Sequence, residues 1–338
     1  MSKEESEPSP LIPNDSSDPQ LIPTIPPPQN SKTNYTKIIL GLLIGQLLSI
    51  LSVLNGLCSQ YLETKRNLVI PLLLTTSYYF LLFITWIIIT REIHKPKLIY
   101  IILTIIDSQA NFINVYTFSL IQFEYPFIIN FSSSIWTFLL TIIFIKKYKY
   151  KPLHYISIFI SFIGILLAMF GTLHSLSDIS SIFTNTKGLL LCLLTSVLYA
   201  SSVVLQEIYL DENESIYNYF PWFGIIGTII TFCESFVFGE LNKAIDYKRY
   251  YDIYNVMSFV SFGVILVTFT SISPFFIKKF SALMFNIGLA STVFWSYIGN
   301  VIMNTETVGE KNVFYFIGFA IIVLGLVMFY YREVEIKK

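Results

Sequence analysis

The strongest constraint on this chain is a series of apolar segments, at roughly 38–59, 68–90, 98–120, 125–145, 153–173, 188–210, 216–238, 254–277, 280–303 and 313–331 of its 338 residues. Of 22 basic and 22 acidic residues, only Asp107, Glu207 and Glu234 fall inside them. Each segment is close to the ~20 residues that cross a hydrocarbon layer of ~30 Å at helical rise. Backbone polar groups find no water there, so each segment must satisfy them internally as a helix. The expected fold is an all-α integral membrane protein with ten transmembrane helices. A charged fraction of 13%, against ~25% for soluble domains, excludes an ordinary soluble enzyme. The balanced charge gives no global field to draw in nucleic acid.

The segments divide the chain into a tail (1–37), a first set of five helices (38–173), a hydrophilic loop (174–187), a second set of five (188–331) and a C-terminal tail (332–338). An odd number of helices per set forces the two sets into opposite orientations, the inverted-repeat arrangement of many secondary transporters. The fourth segment of each set carries small polar residues followed by aromatics, Ser132-Ser133-Ser134-Ile135-Trp136 and Ala290-Ser291-Thr292-Val293-Phe294-Trp295. With the N-terminus in the cytosol, Lys and Arg concentrate on the cytosolic side, so the positive-inside bias places both termini there. The sequon Asn213-Glu214-Ser215 then stays unglycosylated.

The first tail is rich in proline and serine, a composition that cannot bury enough apolar area to fold, and it is expected to be disordered. Within it Glu7-Pro8-Ser9-Pro10-Leu11-Ile12 has the form of an acidic dileucine sorting signal. Glu7, Leu11 and Ile12 would be read by clathrin adaptors and direct the protein to endolysosomes. Without that reading, the plasma membrane is the alternative destination. No cleavable signal peptide is recognised before segment one. Cys58, Cys192 and Cys233 have no paired spacing, so neither a disulfide framework nor a metal site is expected.

Asp107 lies about ten residues into segment three, near the bilayer midplane. An Asp at that depth costs ~2.5–3.5 kcal/mol on insertion scales, so it should face the bundle interior or a cavity. Ala110, Asn111 and Asn114 follow at i+3, i+4 and i+7 and share its face. Similar stripes run along segment one (Gln46, Ser49, Ser52, Asn55), segment four (Asn130, Ser133, Ser134, Thr137), segment six (Thr195, Tyr199, Ser202, Gln206) and segment nine (Asn286, Thr292, Ser296, Asn300). Converging stripes predict a hydrated cavity; packing contacts between helices are the competing explanation for each residue. Glu207 and Glu234 sit near segment ends and are expected to reach the headgroups. No HExxH, GxSxG or P-loop is present, so no catalytic residue, metal or cofactor is expected, and the protein is not read as an enzyme.

Several stretches resemble the F subfamily of solute carrier family 35, within the drug/metabolite transporter superfamily: Gly45-Gln46-Leu47-Leu48-Ser49, Asp107-Ser108-Gln109-Ala110-Asn111-Phe112, Leu198-Tyr199-Ala200-Ser201-Ser202, and Pro274-Phe275-Phe276-Ile277-Lys278-Lys279-Phe280-Ser281-Ala282 with Asn286. The resemblance runs from about residue 38 to residue 331. It implies a ten-helix carrier with cytosolic termini, working by alternating access on nucleobase-like or vitamin-like compounds such as queuine or thiamine. Where the subfamily is expected to place acidic residues, this chain has Asn130 and Val293.

The segments hold no Lys or Arg to neutralise a diphosphate. Aromatic rings, amides and one carboxylate better suit a neutral or cationic heterocycle. The expected substrate-binding set is Asp107, Asn111, Asn114, Gln46, Tyr199, Ser202 and Asn286, with protons as the coupling ion and the lipid bilayer as the surroundings. A non-transporting scaffold or receptor is the competing reading.

Overall fold

The computed structural model describes residues 35–91, 95–145, 148–171, 185–211, 216–244, 252–303, 313–331 and 335–336. Segment one is the helix Tyr35–Gln60, prolonged by a wider π turn at Tyr61–Lys65. Segments two and three are Pro71–Thr90 and Leu98–Phe118. Segment four is broken into Glu124–Asn130 and Ser133–Phe144. Segments five to eight are Pro152–Gly171, Thr186–Asp211, Ile216–Val237 and Ile253–Phe280. Segment nine is Ala282–Gly288 and Thr292–Ile302, joined by a tighter 3₁₀ turn at Leu289–Ser291.

Among the described residues nine helices are long and apolar enough to cross a membrane. Val313–Tyr331 adds a further apolar helix at segment ten. A short antiparallel pairing of Tyr148–Lys149 with Glu335–Ile336 is the one departure from helix and loop among these residues. The dileucine residues Glu7, Leu11 and Ile12, the loop 174–184 and the sequon at Asn213 lie outside the described residues.

Segments four and nine are interrupted, and the breaks fall where the two serine-aromatic stretches lie. Freed backbone groups need local partners. Ser134 Oγ donates to Phe131 O, and Thr292 Oγ1 to Leu289 O. Ser132 Oγ reaches Ser196 Oγ on segment six at 3.0 Å, and Ser291 Oγ reaches Ser49 Oγ on segment one at 2.9 Å. The serine clusters thus sit at the two interruptions and bond across them to segments six and one.

Close approach decides the neighbours. Segments five and ten pack along Gly164, Ala168 and Gly171 against Tyr315, Gly318 and Ile322. A Cβ on Gly171 would sit 2.0 Å from the Tyr315 backbone nitrogen, so no larger residue fits. Segments two and seven meet through Tyr79 and Phe83 over Gly227 and Gly224. Segment one crosses segment nine at Gly45 and Gly288. Such small-residue contacts let helices associate in a solvent that gives no hydrophobic drive between them.

Two buried carboxylates fix helix starts. Glu240, in the short helix Glu240–Ala244, accepts from the N–H groups of Leu72 (2.9 Å) and Leu73 (3.1 Å), satisfying the first turn of segment two, which begins with Pro71. Glu207 was expected at the headgroups; it is instead 4% exposed, and its Oε2 accepts from Ala282 N at 2.8 Å. That bond anchors the sharp link between segments eight and nine, where Ser281 adopts a φ of 130° and accepts from Met284 N. An L-residue rarely holds such a φ without tertiary support.

Burial pushes the Glu240 carboxyl up to about 7, against the two backbone donors and Lys243, which hold it down. The folded chain thus keeps a proton that the unfolded chain releases, so stability falls as pH rises from the ordinary carboxylate range to about 7 and is level above it. Glu240→Gln keeps an acceptor for Leu72 and Leu73 but cannot titrate. Thermal unfolding in detergent should show the variant gaining on the parent across that window, with a constant difference beyond it.

Candidate functional site

The interior between segments one, three, four, six, eight and nine holds a cavity of about 130 Å³. A single water needs only about 10–15 Å³. Its wall presents the amides of Asn55, Asn111, Asn114, Asn130, Gln206 and Asn286, and one charged side chain, Asp107. Phe118, Phe127, Phe131, Phe269 and Phe285 supply aromatic surface, with Tyr199 among the polar groups. No Lys or Arg lines it.

Asp107 is solvated by neutral donors. Tyr79 Oη and Asn111 Nδ2 each donate to its Oδ2 at 2.8 Å, and Ser202 Oγ donates to Oδ1 at 3.4 Å. Helical periodicity places Asn111 one turn after Asp107, which makes their bond local. Tyr79 comes from segment two and Ser202 from segment six, so the carboxylate ties three helices together. A second layer orients the donors: Tyr199 Oη donates to Asn111 Oδ1 (2.9 Å), and Gln206 Nε2 to Ser202 Oγ (3.2 Å).

A second polar group sits where the broken helices meet the cavity. Asn130 Nδ2 donates to Asn114 Oδ1 at 2.7 Å, linking segment four to segment three. Asn286 Nδ2 donates to Thr137 Oγ1 at 2.6 Å, and Ser133 Oγ to Asn286 Oδ1 at 3.3 Å, linking segments four and nine. Asn130 therefore takes part in the amide network at a position where an acidic residue was expected. Val293 is fully buried in an apolar cluster with Tyr297 and Tyr315 and does not line the cavity.

Of the seven residues expected at the site, Asp107, Asn111, Asn114, Tyr199 and Asn286 line the cavity together, and Ser202 stands behind Asp107. Gln46 does not join them. It is exposed, and its Oε1 accepts from Trp295 Nε1 at 3.0 Å. Segment one turns its lower-numbered polar residues toward segment nine and only Ser52 and Asn55 toward the cavity. Glu234 takes a bond from Gln109 Nε2 at 2.6 Å, joining segments seven and three.

Sequence reasoning missed Tyr79, Thr270 and Ser273. Tyr79 lies in a segment whose polar and apolar residues show no one-sided pattern, and nothing marked it apart from Tyr78 beside it. Thr270 accepts from Tyr78 Oη at 2.9 Å and, with Ser273, lies on the cavity wall.

Three comparisons relate the whole chain to known proteins. A family model described as solute carrier family 35 (SLC35F) matches residues 34–331. Solute carrier family 35 member F2 of Mus musculus is 25% identical over 317 residues, covering 86% of this chain and 78% of its own. A solved crystal structure of a protein superimposes on 84% of this chain and 96% of its own with a TM-score of 0.61 at 12% identity, which establishes likeness of fold alone.

Tyr79→Phe removes a donor to a carboxylate, a loss of ~1.5–3 kcal/mol, whereas Tyr78→Phe removes a bond between neutral hydroxyls, ~0.5–1.5 kcal/mol. Thermal unfolding in micelles should therefore rank Tyr79→Phe as the more damaging variant. Equal losses would show that Asp107 does not depend on the Tyr79 hydroxyl.

Proposed function

Because the chain belongs to solute carrier family 35, in its F subfamily, we propose that it is a secondary carrier moving a small polar heterocyclic metabolite, nucleobase-like or vitamin-like, by alternating access. The observation that carries this reading is the cavity itself: central, walled by six amides and several aromatic rings, with one carboxylate and no basic side chain. A diphosphate has nothing there to neutralise it, which argues against nucleotide conjugates. A flat ring can stack on Phe or Tyr while its edge exchanges directional hydrogen bonds with Asn and Gln. A protonated ring nitrogen would also suit Asp107, which has no cationic partner among the described residues.

We read the architecture as ten helices in two inverted sets of five, and the pattern of neighbours supports it. Exchanging each segment for the one five places along maps the two–seven and five–ten pairs onto themselves. The same operation turns three–six into eight–one, four–six into nine–one, and two–eight into seven–three. The first member of each exchanged pair is an extensive helix contact, as is seven–three. Eight–one is joined by Asn55 Nδ2 to Phe262 O and Ser258 Oγ to Cys58 O, and nine–one by the Gly45–Gly288 approach and the Ser291–Ser49 bond. The breaks in segments four and nine obey the same relation. Discontinuous helices at a repeat interface are where such carriers bind their substrates.

Both termini are proposed to face the cytosol, with the Glu7, Leu11, Ile12 signal directing the carrier to endolysosomes. Protons are the proposed coupling ion. In the simplest scheme Asp107 exchanges a proton or a cationic substrate between the two orientations.

An untargeted metabolite comparison of null and overexpressing cells would identify the substrate. In proteoliposomes loaded with that compound, Asp107→Asn should keep the cavity's hydrogen bonds but lose the pH dependence of uptake. An unchanged rate and pH profile would remove Asp107 from the mechanism. Asn111→Ala should lower uptake beyond any loss of folded protein; a fall in thermal stability with uptake per folded molecule intact would favour a purely structural network.

A further inference from the structure

We propose that Glu63 and Gln60, at the far end of segment one from the N-terminus, form a proton-binding site distinct from the central cavity, and that its proton holds segments one and eight together.

Segment one runs on past Gln60 into the π turn Tyr61–Lys65, a local widening often retained at functional positions. The turn buries polar side chains: Gln60 is 7% exposed and Glu63 6%. Glu63 Oε1 accepts from Ser59 Oγ at 3.3 Å. Glu63 Oε2 and Gln60 Oε1 are both buried acceptors with no donor. Such orphans are rare in folded proteins and call for an explanation.

Segment eight covers this turn in antiparallel register. Ser258 Oγ donates to Cys58 O at 2.9 Å, and Arg66 Nη1 lies 2.7 Å from Asp252 Oδ2. Buried Asn255, midway between Ser258 and Asp252 on that helix face, therefore stands opposite the turn. Asn55 Nδ2, donating to Phe262 O at 3.0 Å, continues the seam toward the cavity.

Among the described residues the nearby charges do not neutralise Glu63. Arg66 is engaged by Asp252 and by Tyr61 Oη, and its guanidinium lies over the rings of Tyr61 and Tyr254. Lys65 is exposed. Glu240 is bonded to the start of segment two. Cys58, on segment one, is a further titratable group beside the turn among the described residues. Among the described residues no cation lies within ion-pair distance of Glu63. An ionised carboxylate so placed would be strongly unfavourable. A proton removes the charge and converts Oε2 from acceptor to donor, with Gln60 Oε1 one turn away to receive it. One proton thus answers both orphan acceptors.

Segment one also carries Ser52, Asn55 and Gly56 on the cavity wall. Release of the proton leaves a bare carboxylate in the seam, which water can solvate only if segments one and eight part. Parting them opens the cavity toward that face. This coupling role rests on the carrier reading; proton binding at Glu63 does not.

The test uses the full chain in lipid nanodiscs. Dicyclohexylcarbodiimide modifies protonated carboxyls in apolar surroundings, and peptide mapping locates the adduct. Glu63 should be labelled in acid and protected in alkali, losing about tenfold in labelling rate per pH unit above its midpoint. In a second arm, spin labels at Lys65→Cys and Ile253→Cys, with the native cysteines replaced, report the separation of the two helix ends. Raising the pH should lengthen that distance in the parent, while Glu63→Gln should stay closed throughout.

Glu63 unlabelled at every pH, or labelled equally at all, would overturn the proposal, as would a Glu63→Gln variant that opens like its parent. Opening driven by sodium at fixed pH would also overturn it. If Glu63→Gln does not fold, labelling of the unaltered chain decides alone. Both arms succeeding in a protein that moves no metabolite would leave the proton site standing and remove the carrier reading instead.

Discussion

An ionised group inside a membrane protein has no bulk water to solvate it, so the protein must supply the solvation, and Asp107 shows how this chain does so without a cation. Three neutral donors from three helices converge on one carboxylate. The cost of an Asp at this depth is thereby turned into a tie among segments two, three and six. Neutral donors leave the charge in place. A fixed Lys or Arg would have cancelled it, and none lines this cavity.

The same constraint explains two further buried acids. Helix starts expose N–H groups that lipid cannot satisfy, and Glu240 and Glu207 meet those of segments two and nine. Glu207 reaches across from segment six to the start of segment nine, so the end of one helix fixes the beginning of another that breaks a few residues later at Leu289–Ser291. The tight link at Ser281 and the unwinding beyond it are therefore held from one side by a carboxylate and from the other by serines. That arrangement lets Asn286, between them, present its amide to the cavity from a helix of only seven residues.

Much of this was legible in the sequence because the hydrocarbon layer imposes a length and forbids charge, two properties that leave plain marks. The helix positions followed from them, and Asp107, Asn111 and Asn114 could be grouped by helical spacing alone. What spacing could not give was which partner a helix faces. Gln46 shares a stripe with Asn55, yet it meets Trp295 while Asn55 reaches the cavity, because segment one is crossed by segment nine near Gly45 and covered by segment eight further along. Tyr79 was hidden for a related reason: the polar residues of segment two are spread around its circumference, so periodicity assigned it no inner face. Glu63 and Glu124 escaped notice because they fall just beyond the apolar windows, although the folded helices carry both inward.

The absence of acidic residues at Asn130 and Val293 has a structural consequence. At Asn130 a carboxylate would face Asn114 Oδ1, acceptor against acceptor, unless it were protonated or the Asn114 amide were turned. The Asn130 amide supplies the donor itself and makes that contact independent of protonation. At Val293 the side chain is buried in a cluster with Tyr297 and Tyr315, outside the cavity. Neither position adds a titratable group to the cavity, whose one charged side chain is Asp107. The cavity's hydrogen-bonding pattern is otherwise set by amides, which do not titrate, so its charge can respond to pH at one side chain, Asp107.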